Sequence, residues 1–78
     1  MSSKAIEVKP LENYTLHVTF ENGKSGVFDV KPYLQHIQFK DLKNEELFKT
    51  VKIAGLSIAW DNGADICPDE LYNGTIDE

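Results

Sequence analysis

The side chains best suited to chemistry in this sequence are a single cysteine and two histidines. Cys67 directly precedes Pro68, and the N-terminus of a helical turn beginning there could activate its thiol as a nucleophile. Such a nucleophile needs a general base within hydrogen-bond distance, and neither His17 nor His36 is close to it in the sequence. We therefore interpret Cys67 as a small buried side chain and both histidines as surface residues, and we expect no enzymatic activity.

Four acidic residues lie close together in the C-terminal half, namely Asp61, Asp65, Asp69 and Glu70. An EF-hand calcium loop has ligands at its first, third and fifth positions and glycine at its sixth, whereas Gly63 is the third residue counted from Asp61. The spacing of Cys and His residues fits no zinc site. The sequence thus predicts neither a metal nor a cofactor, and it favours a solvated turn followed by acids in the first turn of a helix.

Asp65 and the two aromatic residues that flank this acidic run have two interpretations each. The carboxylate of Asp65 either accepts backbone N–H bonds that fix the local chain, which we favour, or binds a ligand. Trp60 and Tyr72 either pack in the core, as aromatic residues beside turns usually do, or contribute to an interface, where both residue types are enriched. The candidate partner-binding residues are therefore Trp60, Asp61, Asn62, Asp65, Asp69, Glu70 and Tyr72.

The net charge of −5 is unevenly distributed along the chain. Residues 1–43 carry six lysines and five acids, whereas residues 44–78 carry two lysines and eight acids. The basic residues are all lysine, while arginine is the residue preferred for bidentate contacts with phosphate and guanine. An acidic chain of this composition is a poor candidate for binding nucleic acid directly. It is better suited to a basic protein partner, although the charge also keeps a small domain soluble.

Length and cysteine content limit the architecture and the compartment. A chain of 78 residues is expected to form one domain, residues 1–78, with a small core and marginal stability. One cysteine cannot form an intramolecular disulfide, which is typical of a reducing compartment. The N-terminus does not resemble a signal peptide, and no apolar stretch is long enough for a membrane span. We therefore expect a soluble cytoplasmic protein that does not contact a membrane.

Alternating apolar and polar residues predict β-hairpins as the elements that hold these side chains. The alternation covers residues 6–9, 14–21 and 24–30, and Asn-Gly pairs mark two turns. The structural turn residues are therefore Asn22, Gly23, Asn62 and Gly63.

The length of the first hairpin loop decides the strand register. A two-residue loop would set Val18 opposite Val27 and would bring a carboxylate to the apolar face, at a cost of about 2 kcal/mol or more. A three-residue loop with Gly23 in the left-handed conformation pairs Leu16 with Phe28 and keeps the apolar residues together. We therefore predict the three-residue loop, and the same loop in the second hairpin.

Helical signals in the sequence are short. Asn44 is a good N-cap for a helix over residues 45–50, with acids in its first turn. Two further turns begin at prolines, over residues 32–36 and 68–72, and residues 75–78 are expected to fray. We predict an α+β fold with a small antiparallel β-hairpin sheet, one short helix packed on it and extra helical turns. The expected core residues are Leu16, Val18, Phe20, Phe28, Leu47, Phe48, Ile58, Trp60 and Ile66.

The segment from Trp60 to Tyr72 resembles the C-terminal motif of the bacterial family called domain of unknown function 2442. Upstream residues agree with that family, namely the alternating Tyr14, Leu16, Val18 and Phe20, then Asn22-Gly23, Asp29 and Leu47-Phe48. The resemblance implies a compact α+β domain with no established enzymatic activity. Some members carry an added helix-turn-helix domain, and stand-alone members are suspected to work with a neighbouring small protein in the manner of an antitoxin.

Three functions are open at this point. We favour a non-enzymatic protein-interaction module, an antitoxin-like or regulatory partner of a small basic protein. The alternatives are a regulatory subunit that acts at DNA through a helix-turn-helix partner, and a small-ligand-binding domain. We also expect a homodimer in the absence of the partner, because an open sheet leaves two edges and a small core gains from pairing.

Overall fold

The computed structural model describes residues 3–77, which contain seven short strands and two α-helices. Four strands form an antiparallel sheet in the order β1 (Ala5–Pro10), β2 (Thr15–Phe20), β3 (Ser25–Asp29) and β7 (Ile76–Asp77). A second antiparallel sheet has the order β4 (Lys52–Ala54), β5 (Ser57–Ala59) and β6 (Asp65–Ile66). The helices are α1 (Glu45–Phe48) and α2 (Pro68–Gly74), and 3₁₀ turns lie at Glu12–Tyr14, Lys31–Gln35 and Lys40–Lys43. The predicted α+β fold built on antiparallel hairpins is confirmed, although the strands divide between two sheets.

The first hairpin has the register that the three-residue loop predicts. Leu16 lies opposite Phe28, and the backbone N–H of Phe20 donates to the carbonyl of Lys24 at 2.8 Å. Gly23 has a φ of 95°, and Asn22 Oδ1 accepts a hydrogen bond from the backbone N–H of Lys24 at 3.0 Å. The alternative pairing of Val18 with Val27 is therefore excluded.

The second hairpin repeats this turn. Ile58 lies opposite Ile66, and the backbone N–H of Trp60 donates to the carbonyl of Ala64 at 2.9 Å. Gly63 has a φ of 91°, and Asn62 Oδ1 accepts from the backbone N–H of Ala64 at 3.1 Å. The structural roles predicted for both Asn-Gly pairs are thus confirmed.

Replacing Gly63 with valine should lower the free energy of unfolding by about 1–3 kcal/mol, because a β-branched residue is strained at positive φ. A Cβ atom at this position would meet no other atom within 4 Å, so the loss has a conformational cause. Urea denaturation followed by circular dichroism measures the change. Gly63→Asn is the matched control, since asparagine tolerates positive φ better, and a valine variant as stable as wild type would contradict the assignment.

The first strand contains a bulge that changes which residue faces the core. Its register with β2 shifts between Ala5 and Glu7, so Ala5 is buried and Ile6 is 51% exposed. The backbone N–H of Ala5 also donates to the carbonyl of Leu56 at 3.1 Å. This bond connects the free side of β1 to the turn between β4 and β5, and it brings the two sheets together.

The helix predicted over residues 45–50 is shorter than expected. Asn44 is its N-cap as predicted, and its Oδ1 accepts from the backbone N–H of Glu46 at 2.9 Å. The helix ends at Phe48 because Thr50 turns the chain: its N–H and its hydroxyl both donate to the carbonyl of Leu47, at 3.0 and 2.7 Å. The longest helix in residues 3–77 is instead α2, which extends two residues beyond the predicted turn.

The core contains eight of the nine residues expected from the sequence, and Leu47 is half-buried rather than buried. It also contains residues outside the expected set, of which only Val30 continues a predicted alternation, namely Ala5, Val30, Leu34, Phe39, Leu42 and Leu71. Three of these, Leu34, Phe39 and Leu42, lie in or beside the 3₁₀ turns between β3 and α1. Such short turns contain too few residues to show a repeating apolar pattern.

The expectation that residues 75–78 fray is wrong for Thr75 to Asp77, and Glu78 lies outside the described residues. Thr75 is 3% exposed, and its hydroxyl donates to the carbonyl of Leu71 at 2.7 Å. The next two residues form β7, in which Ile76 lies opposite Val27. The sequence did not predict β7 because two residues are too few to show an alternation of apolar and polar side chains. No helix within residues 3–77 combines the length and apolar character needed to cross a bilayer.

Candidate functional site

Trp60 lies in the core and cannot serve as a surface contact. Its side chain is 1% exposed, and the indole N–H donates to the carbonyl of Phe48 at 3.0 Å. Its ring also packs against the rings of Phe39 and Phe48, with centroid distances of 6.5 and 6.2 Å. Of the two interpretations open for Trp60, the structure supports the core position, so this residue drops out of the candidate partner-binding surface.

Tyr72 joins α2 to the first hairpin. Its hydroxyl accepts from Asn22 Nδ2 at 2.9 Å, and its carbonyl accepts from Lys24 Nζ at 2.8 Å. The same ammonium lies 4.1 Å from the centroid of the Tyr72 ring, a cation–π contact, and the ring meets Phe20 edge-on at 4.8 Å. Tyr72 is half-buried, so its main contacts are structural and only part of its surface is available to a partner.

The acidic residues lie on the surface. We call Asp61, Asp65, Asp69 and Glu70, which are all exposed, the acidic surface. Asp61 accepts from Lys52 Nζ at 2.9 Å, and Glu70 accepts from the hydroxyl of Tyr33 at 2.7 Å. The backbone hydrogen bonds predicted for the Asp65 carboxylate are not observed among residues 3–77. Asp69 lies in the first turn of α2, as predicted, and Asn62 acts in the turn itself.

The hydrogen bond between Tyr33 and Glu70 changes the acidity of the phenol. Partial burial, together with the hydrogen bond and the negative charge of Glu70, raises the pKa of Tyr33 from 10.0 to about 12. All three effects favour the protonated phenol, because burial disfavours the charged form and ionisation would remove the hydrogen-bond donor and place a second negative charge beside the carboxylate. This contact ties the 3₁₀ turn at Lys31–Gln35 to α2.

The raised pKa predicts a specific loss of stability at alkaline pH. Since the folded-state pKa lies above the unfolded value, the Tyr33 contribution is complete below about pH 10 and is lost as the pH rises towards 12. We expect the unfolding free energy of wild type, measured relative to Tyr33→Phe, to fall across this window. The lysines and the other tyrosines titrate in both proteins, so they cancel. Parallel stability curves for the two proteins between pH 9 and 12 would contradict the assignment.

Cys67 is exposed, which corrects the prediction of a buried side chain. It follows the inward-facing Ile66 at the end of β6, so the alternation of the strand turns it outward. It caps α2 without a side-chain hydrogen bond. His36 is exposed and His17 is half-buried. Within the described part of the chain, no three His, Cys, Asp or Glu side chains converge in a way that could hold a metal ion.

The contacts that join α2 to the rest of the fold were not predictable from local sequence. Tyr33 is separated from Glu70 by 37 positions, and Lys24 from Tyr72 by 48 positions. No spacing rule for helices or hairpins connects residues so distant. Only the packing of α2 against the four-stranded sheet and the neighbouring 3₁₀ turn brings them together.

The fold and this surface define a small α+β domain with four exposed acids on the second hairpin and α2. A family model described as "Protein of unknown function (DUF2442)" matches residues 5–77, so the chain belongs to that family. No curated protein matches the chain, and no solved structure does. The family resemblance read from the segment between Trp60 and Tyr72 is thereby confirmed.

Proposed function

We propose that this protein is a non-enzymatic interaction module of the cytoplasm that binds a small basic protein through its acidic surface. The main observation that supports this proposal is that four acids between positions 61 and 70 are exposed, in a segment that contains no lysine. Asp65 and Asp69 have no ion-pair partner among residues 3–77, so their charges are available to another molecule.

Electrostatic attraction supports a role in partner selection. Like charges concentrated on one surface speed the encounter with a partner of opposite charge and discriminate against acidic or neutral competitors. The contribution is screened over about 8 Å at physiological ionic strength, so complex formation should weaken as salt increases. An antitoxin-like or regulatory role would use this property, because the module would cover a basic functional surface of its partner.

Charge reversal on the acidic surface tests the proposal. A tagged wild-type protein, expressed in its native host, should retain a basic protein in stoichiometric amount. The double variant Asp65→Lys/Asp69→Lys should bind that protein with an affinity lower by a factor of roughly ten or more. Each factor of ten corresponds to about 1.4 kcal/mol of binding free energy. Both side chains are exposed, so the fold is expected to persist, and circular dichroism checks this.

The matched control changes the same amount of charge elsewhere. Glu7 and Asp41 are exposed and lie outside the acidic surface, so Glu7→Lys/Asp41→Lys should retain the partner. If both double variants lose the partner to the same extent, binding depends on the net charge of the protein and not on the acidic surface. Retention of the partner by Asp65→Lys/Asp69→Lys, or the absence of any stoichiometric basic protein, would refute the proposal.

A further inference from the structure

An open groove of about 690 Å³ lies between the turn that joins β1 to β2 and helix α1. Its apolar lining comes from Leu11, Tyr14 and Phe48, and its charged lining comes from Glu12, Glu45 and Lys49. The volume falls within the range of about 300–1,000 Å³ that is typical of sites for small molecules, which is also room for a side chain or two of a bound peptide. The groove is separate from the acidic surface, and none of the candidate residues in the sequence lines it.

The turn at one side of the groove is held in an unusual conformation. Asn13 and Tyr14 both have positive φ, 61° and 58°, although neither is a glycine. Such residues are strained and persist only where the surrounding structure holds them. Here the backbone N–H of Leu11 donates to the carbonyl of Thr15 at 2.8 Å, and Lys31 Nζ donates to the carbonyl of Asn13 at 3.0 Å.

Tyr14 connects this turn to the opposite side. Its hydroxyl donates to the backbone carbonyl of Lys43, and its ring meets Phe48 edge-on with a centroid distance of 5.4 Å. Both sides of the groove are therefore fixed relative to one another before any ligand arrives. A preformed site loses less conformational entropy on binding than a flexible one, which favours recognition of a short segment.

The groove offers an apolar contact between negative charges. Leu11 is 42% exposed, whereas Phe48 is 3% exposed and lies at the base. Glu12 and Glu45 come from opposite sides, and neither forms an ion pair with a residue in the range 3–77. Lys49 is the single positive charge in the lining. An apolar side chain would fit the centre, and a flanking cation would be attracted to the two carboxylates.

From this arrangement we infer that the groove binds a short peptide segment in which an apolar side chain lies next to a lysine or arginine. The groove ends close to the acidic surface, because the backbone N–H of Asp61 donates at 3.1 Å to the hydroxyl of Thr50, the residue after Lys49. A basic partner could thus occupy both regions at once. The groove inference adds a second site to the proposed function and does not depend on it.

Peptides of defined composition test the groove directly. The probe is the acetylated and amidated peptide Gly-Lys-Leu-Lys-Gly, added to isotope-labelled full-length protein while amide chemical shifts are recorded. We expect saturable shifts at Leu11, Tyr14 and Phe48. Control peptides with glutamate in place of both lysines, or serine in place of leucine, each lack one of the two contacts. Their affinity should be lower by a factor of roughly ten or more.

Variants of the protein complete the test. Glu12→Lys and Glu45→Lys should each weaken the probe about fivefold to tenfold, because each change replaces the attraction of an exposed charge pair with a repulsion of similar size. Leu11→Ser should weaken it by a similar factor. The matched controls are Glu7→Lys and Ile6→Ser, which change an exposed charge and an exposed apolar side chain outside the groove and should leave binding within about twofold.

The outcomes separate the groove from the acidic surface. Equal affinity for the lysine and glutamate peptides, unchanged binding by the groove variants, or shifts confined to residues 61–70 would each overturn the groove inference. The last of these results would leave the proposed function intact, because it assigns cation binding to the acidic surface. Binding of the probe by Asp65→Lys/Asp69→Lys with wild-type affinity would support the groove even if the proposed partner interaction failed.

Discussion

Replacing Trp60 with alanine is expected to lower the unfolding free energy by about 3–5 kcal/mol, out of about 5–8 kcal/mol for a domain of this size. Trp60 is 1% exposed and fills the space between α1 and the second hairpin, so its removal leaves a cavity. The change also removes the shorter of the two hydrogen bonds to the carbonyl of Phe48, at 3.0 Å, and leaves only the 3.4 Å bond from the backbone N–H of Val51, which adds to the loss.

The measurement for Trp60 needs a signal other than tryptophan fluorescence, because Trp60 is the only tryptophan. Circular dichroism during thermal and urea denaturation serves this purpose. Trp60→Phe is the matched control, since it retains most of the apolar volume and loses the indole N–H, so its destabilisation should be clearly smaller. An alanine variant that melts within a degree or two of wild type would show that the core does not depend on this ring.

Replacing Gly26 with alanine is expected to displace β7 from the edge of the four-stranded sheet. A Cβ atom at Gly26 would lie 1.9 Å from the carbonyl oxygen of Ile76, a distance that requires the strand to move. Overpacking of this kind typically costs about 1–3 kcal/mol. Hydrogen exchange at Ile76 and Asp77 should accelerate towards the rates of an unstructured chain, while the amides of β2 stay protected.

A truncated protein provides the control for Gly26. Deletion of residues 76–78 removes the obstructing backbone, so Gly26→Ala should have little further effect on the stability of the shortened chain. The two changes together form a double-mutant cycle, in which a large interaction energy is expected. Additive effects would mean that alanine at position 26 acts through β2 or β3 and not through β7.

The registers of both hairpins could be predicted because they depend on local residues. Asn22-Gly23 and Asn62-Gly63 allow few loop types, and the demand that apolar residues share a face selects one of them. The N-cap role of Asn44 is local in the same sense. At these three places a few neighbouring residues determine the conformation, and the sequence was sufficient.

Other features depend on contacts between distant segments and could not be predicted. Leu34, Phe39 and Leu42 are buried because their 3₁₀ turns pack against the common core, not because of a pattern of their own. The site was predicted only in part: the acids are exposed as expected, whereas Trp60 is buried and the groove beside Tyr14 was missed. Nothing about a tyrosine signals a positive φ, since the left-handed conformation is imposed there by the surrounding hydrogen bonds.

The strand order has a consequence for synthesis on the ribosome. β1, β2 and β3 are consecutive in the chain and can pair as soon as they emerge, but their neighbour β7 is made some fifty residues later than Gly26. Until residues 76 and 77 have left the exit tunnel, the outer edge of β3 presents unpaired backbone groups to other chains. The nascent protein therefore passes through a stage, absent from the finished molecule, at which a chaperone or a second nascent chain could pair with β3.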